Sequence, residues 1–164
     1  MKCWSPVVVT LILIAGCAPL KSVPDGYSGP KAVVTDSREY ENRDKAAFFV
    51  LAEINGRPIE TSLDASRRAS YGKGFSLAAQ YIERDVPAEP MKVKLIGTHQ
   101  TGAPIHELFS RAGGYFQTVE GVVDFAPSPN VKYIVKGVLS PDGSSVWIEV
   151  LETGQRVTIK VLSK

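Results

Sequence analysis

The feature that most constrains this fold is a period of two in short runs, broken at regular intervals by turn residues. In Met91-Lys92-Val93-Lys94-Leu95, apolar and charged side chains alternate. Val131, Tyr133 and Val135 repeat the pattern, as do Val157, Ile159 and Val161. Successive side chains of a strand point to opposite faces, so the alternation marks half-buried strands with one wet face. Turn signals separate the runs: Asn55-Gly56, Gln100-Thr101-Gly102, Pro141-Asp142-Gly143-Ser144 and Thr153-Gly154. Asn-Gly is the sharpest of them, because both central residues of a type I′ hairpin take positive φ. About eight short strands spaced in this way predict a mainly β chain folded as a single antiparallel β-sandwich.

The other segments fill in that frame. Residues 31–36 read as a first strand, and residues 36–44, charged and without an apolar period, as a surface loop. The apolar run over residues 46–54 suits a buried strand. Residues 57–60 form a short return strand at an edge, since Pro58 cannot donate to a ladder. Residues 61–70 fit either a short helical turn or a polar loop. Residues 75–84 read as a strand, with a helix as the alternative, and Asp85 to Pro90 break it. The best helix candidate is residues 104–111: Pro104 suits a first turn, Ile105, Leu108 and Phe109 share a face, and Gly113-Gly114 end it. The remaining strands are expected over residues 115–125, 131–139, 145–151 and 156–162.

Hydrophobic residues make up 44% of the 164 and charged residues 22%, enough for one domain with its own core. The N-terminus stands apart. Lys2 precedes the apolar run Val7 to Ile14, followed by Ala15, Gly16 and Cys17, the layout of a secretory signal peptide. A membrane-spanning helix needs roughly 20 apolar residues, about twice this run. Residues 18–30, with Pro19, Pro24, Pro30, Gly26 and Gly29, read as a tether. Removal of Lys2 with the leader leaves 18 basic residues against 17 acidic ones. Such a balance argues against a nucleic-acid partner. Cys3 and Cys17 are the only cysteines, so a mature chain lacking Cys3 has no disulfide.

Two resemblances follow from these residues. Ile14-Ala15-Gly16-Cys17 resembles the lipobox of bacterial lipoproteins, with Ile14 where leucine is commonest. The resemblance implies cleavage between Gly16 and Cys17, a diacylglyceryl group on the Cys17 thiol and acylation of the new amino group. Several acyl chains give stable anchoring, at about 0.8 kcal/mol per buried methylene. Ala18, where aspartate resembles an inner-membrane retention signal, implies the outer membrane with the domain facing the periplasm. The chain thus divides into a signal peptide (1–16), a lipidated cysteine with its tether (17–30) and the β-sandwich (31–164). Ile54-Asn55-Gly56 and Val86-Pro87-Ala88 resemble, over residues 46–100, the hairpins and bends of transthyretin-like and PEGA-like periplasmic domains. Glu89 replaces their usual glycine. That resemblance implies an immunoglobulin-like or transthyretin-like sandwich concerned with envelope binding and assembly.

Chemistry is thinly signalled. There is no Gly-x-Ser-x-Gly elbow or phosphate loop. The acidic residues of 36–44 lack the alternate spacing and glycine of a calcium loop, and no His/Cys cluster suggests zinc. No metal or cofactor is therefore expected. His99, or His106 beside Glu107, could serve as the base of a lipid-anchored hydrolase. Trp147, with Tyr115 or Tyr133, could form a platform for a glycan or a protein, although a tryptophan in an alternating strand is usually buried. The expected function is non-catalytic: an outer-membrane lipoprotein whose domain binds an envelope protein or polymer. A lipid-anchored hydrolase and a secretion-system assembly lipoprotein are the alternatives.

Overall fold

The computed structural model describes residues 21–103 and 116–163. The expected leader with Gly16, Cys17, the expected helix over 104–111, His106 and Tyr115 lie outside the described residues. Two five-stranded sheets face each other. Sheet A runs β10 (Val161–Leu162), β9 (Ser145–Val150), β8 (Lys132–Val138), β1 (Lys31–Thr35), β5 (Glu83–Pro87). Sheet B runs β2 (Ser37–Tyr40), β3 (Lys45–Ile54), β6 (Met91–Thr101), β7 (Thr118–Phe125), and the two-residue β4 (Arg57–Pro58) pairs with β3. The expected sandwich is present, in ten strands among the described residues. Its pairs are antiparallel except β1 with β8, which is parallel.

Alternation decides which side chains meet between the sheets. Met91, Val93 and Leu95 of β6 are buried against Val135, Val146 and Ile148 of sheet A. Gly97 and Gly137 face the ring of Phe49 from the two sheets. A Cβ at Gly137 would overlap that ring, so the close approach of the sheets depends on glycine there. Asn55 (φ 51°) and Gly56 (φ 75°) form the expected hairpin, which returns into the short edge strand β4. Strand β3 is apolar from Ala46 to Ala52, where both of its faces are covered. Ala47, Phe49 and Leu51 face sheet A, while Ala46, Phe48 and Val50 pack with Leu77 and Leu63 on the outer side of sheet B.

That outer cover departs from expectation. Residues 61–70 resolve as a helix, α1 (Ser62–Ser70), capped by Thr61, whose side chain accepts from the Asp64 N–H. Its buried residues are not aliphatic but Ser62, Ser66 and Ser70. Their hydroxyls accept from the N–H groups of Ile82 (2.9 Å), Gln80 (2.7 Å) and Ala78 (2.9 Å). Four helical residues rise about 6 Å, and two extended residues about 6.6 Å. Serines at i, i+4 and i+8 therefore match every second amide of an extended chain. This explains why the strand expected over 75–84 is absent until Glu83: residues 78–82 are hydrogen-bonded to a helix instead of a strand.

Three further expectations are corrected. Residues 36–44 are not wholly a loop, because β2 pairs with β3 and Asp36 is buried. Strand β5 continues through Asp85-Val86-Pro87, since at a sheet edge Pro87 costs no ladder bond. Only Val161 and Leu162 of the expected last strand join sheet A, and Val157 and Ile159 are exposed. Between Glu149 and Val161 the chain is held instead by an isolated bridge at Arg156 and by Ile148, whose N–H reaches the Thr158 hydroxyl.

Candidate functional site

Tyr133 leaves the expected platform. It is 3% exposed, edge-on to Phe125 with ring centroids 5.1 Å apart, and its hydroxyl accepts from the Ser128 N–H at 2.9 Å. It faces inward because Tyr133 and Val135 share the core face of β8. Its hydroxyl pins the turn before that strand.

Trp147 takes the opposite face. Its neighbours Val146 and Ile148 are fully buried, so the alternation of β9 sends the indole to the outer side of sheet A, where it is half-buried. No described helix or strand packs on that side. The indole N–H donates to Glu149 at 2.9 Å. The Lys160 ammonium sits 4.3 Å from the ring centroid, a cation over the negative face of the π system. Lys136 is the cross-strand partner of Trp147, on the same face. The result is a half-buried indole with one ammonium group over its ring, a carboxylate on its N–H and Lys136 as its cross-strand neighbour. Flat apolar surface flanked by donors of this kind suits a sugar ring or an acidic side chain.

His99 sits on β6 with 5% exposure. Its Nε2 is 2.5 Å from the Glu41 carboxylate, which also meets the Lys45 ammonium at 2.9 Å. Its Nδ1 accepts from the Gln117 N–H at 3.1 Å. The imidazole is thus a neutral Nε2–H tautomer with both nitrogens engaged. Burial first, and the Lys45 charge second, pull its pKa below the ordinary value, against the opposing pull of Glu41. A general base needs a free lone pair facing substrate, and here a backbone amide occupies it.

Sequence reasoning missed a second cation–aromatic group. Arg38 and Tyr40 stand on the outer face of sheet B, and the Arg38 guanidinium lies 3.8 Å from the Tyr81 ring centroid and 5.0 Å from that of Tyr40. Both tyrosines are exposed. Only the strand parity of residues 37–40 could have signalled it, and two neighbouring acidic residues hid that pattern. Among the described residues, no group of three or more His, Cys, Asp or Glu side chains is placed to hold a metal. No described helix is long and apolar enough to cross a membrane. Comparison with known proteins gives no matching family model, no matching curated protein and no matching solved structure.

Proposed function

We propose that this chain is an outer-membrane lipoprotein, anchored through Cys17, whose periplasmic β-sandwich binds an envelope protein or polymer without catalysing a reaction. The observation that carries the binding reading is Trp147, half-open on a sheet face that no described element covers and flanked by Lys136 and Lys160. The engagement of both His99 nitrogens supports the non-catalytic reading. The lipobox-like Ile14-Ala15-Gly16-Cys17 supports the anchor. Residues 21–30 fit a short connection: they hold no strand or helix, and Ser22 fastens them by donating to the Asp85 carbonyl at 2.6 Å. The anchored domain would present its sheet A face to periplasmic sugar polymers or acidic protein segments.

The anchor is tested by metabolic labelling with a palmitate analogue in a bacterial host. The wild-type chain should take up label and run at the processed mass. Cys17→Ser should lose the label entirely and accumulate as precursor. Equal labelling, or unchanged processing of Cys17→Ser, would contradict the anchor.

A further inference from the structure

Among the described residues the sheet edges, with β2 and β4 sharing one along β3, are not equally protected. Strand β10 has two residues, β4 has two and includes Pro58, β2 has four, and β5 has five and ends at Pro87. Short strands and prolines are the usual protection of a sheet edge against pairing with another chain. Strand β7 has neither. It runs eight residues, Thr118–Phe125, in unbroken register with β6 from Met91↔Phe125 to Thr98↔Thr118.

Its free hydrogen-bonding groups can be assigned. Lys92 turns its backbone toward β3, where its N–H and C=O bond Asn55. Backbone direction alternates along a strand. Met91, Val93, Leu95 and Gly97 therefore bond β7 through Phe125, Val123, Gly121 and Val119. Thr118, Glu120, Val122 and Asp124 turn their N–H and C=O groups outward, and among the described residues none of these groups has a partner. The side chains there do not repel a neighbour. Glu120 lies 3.3 Å from Lys94, and Asp124 lies 2.8 Å from Lys92, within the same sheet.

Apolar surface borders this edge. The Val161 side chain lies over Gly121. Val157 shares with Asp124, Phe125 and Ala126 the wall of a surface hollow of about 590 Å³. Residues 157–161 thus run alongside β7, with Ile159 between them 73% exposed and Val122 on the strand 60% exposed.

We infer that β7 pairs antiparallel with β7 of a second copy of this chain, about a two-fold axis at Gly121. Only registers that oppose even residues to even residues keep the core faces aligned and let the outward groups bond. An axis at Val122 would set Glu120 against Asp124 of the other copy, and like charges directly opposite are destabilising. An axis at Gly121 sets Glu120 opposite Val122, Thr118 opposite Asp124 and Val119 opposite Val123. Each outward amide then meets an outward carbonyl, and the two B sheets become one.

The register gives a direct test in the full-length chain. Residues 18–164 hold no cysteine, so each introduced thiol is the single one in its sandwich domain. Glu120 and Val122 are exposed positions, and opposed residues at about 5.5 Å between Cα atoms suit a disulfide. Glu120→Cys and Val122→Cys copies, co-expressed and mildly oxidised in cells, should give a disulfide-linked dimer. Its yield should exceed that of either variant alone by tenfold or more, and adding Ile159→Glu to both should lower it severalfold. Circular dichroism checks that each variant is folded. Folded variants that give no mixed dimer would overturn the inference. So would equal yields from one variant alone, or a crosslink only to a different protein, which would make the edge a site for a foreign strand.

Discussion

Asp36 is 1% exposed, and its carboxylate takes donors from three elements: the Leu51 N–H at 3.1 Å, the Ser62 N–H at 2.8 Å and Arg84 Nη2 at 2.6 Å. Arg84, 9% exposed, also donates to the Leu51 carbonyl at 2.9 Å. One ion pair thus joins the crossover between the sheets, the middle of β3, the start of α1 and the edge strand β5. Breaking a buried pair leaves an uncompensated charge, so Arg84→Met should cost about 3–5 kcal/mol in urea unfolding. Asp36→Asn in the same chain should recover part of that loss, because the remaining group is neutral. Neither partner was legible locally. Asp36 opens a charged run that reads as solvated, and Arg84 lies 48 residues away. His99 gives the second prediction at this scale. Its folded pKa lies below its ordinary 6.5, so below that pH the unfolded chain takes up a proton the folded chain resists. Stability should be full above about pH 6.5 and fall as pH drops toward the lower folded pKa, by at most ~1.4 kcal/mol per unit for one proton. Urea midpoints from pH 7.5 to 5 would show this slope, and His99→Gln should flatten it. An equally steep slope in His99→Gln would assign it to other groups.

Helix α1 and the extended residues 78–82 form one cooperative element on the back of sheet B. Removing the middle hydroxyl strands the Gln80 amide, and an unsatisfied part-buried donor costs about 1–3 kcal/mol. Ser66→Ala should destabilise by that amount and raise amide exchange at Gln80 at least tenfold, with the Ala78 and Ile82 amides less affected. Unchanged exchange at Gln80 would contradict the ladder. Element type was legible where periodicity was strong: β6, β8, β9 and the Asn55-Gly56 hairpin all follow the sequence reading. It failed where hydroxyls replaced aliphatic side chains. A helix whose buried stripe is Ser62, Ser66 and Ser70 carries no hydrophobic period, and residues 78–82 have strand-like extension but a helical partner. The last strand failed for another reason. The alternation of Val157, Ile159 and Val161 is real, but the first two lie along the β7 side of the sandwich, exposed.

At the scale of the whole molecule, two alternating sheets give the sandwich, and β3 contributes apolar side chains to both of its faces. The class of fold was legible because short alternating runs with frequent turns admit few other solutions. The candidate site was only half legible: Trp147 could be singled out, but its side of the sheet depends on which parity of β9 faces the core. Tyr133 went inward by the same rule. An anchored, non-catalytic binding module should use the open face of sheet A while held at the membrane. The most direct test places a photo-crosslinking benzoylphenylalanine at position 147 of the full-length chain in intact cells. Tyr71, 92% exposed at the end of α1, is the control position. A discrete envelope adduct from position 147, absent from position 71 and lost when Lys136 and Lys160 are changed to Glu, is the expected result. No adduct from position 147, or the same adducts from both positions, would contradict the account.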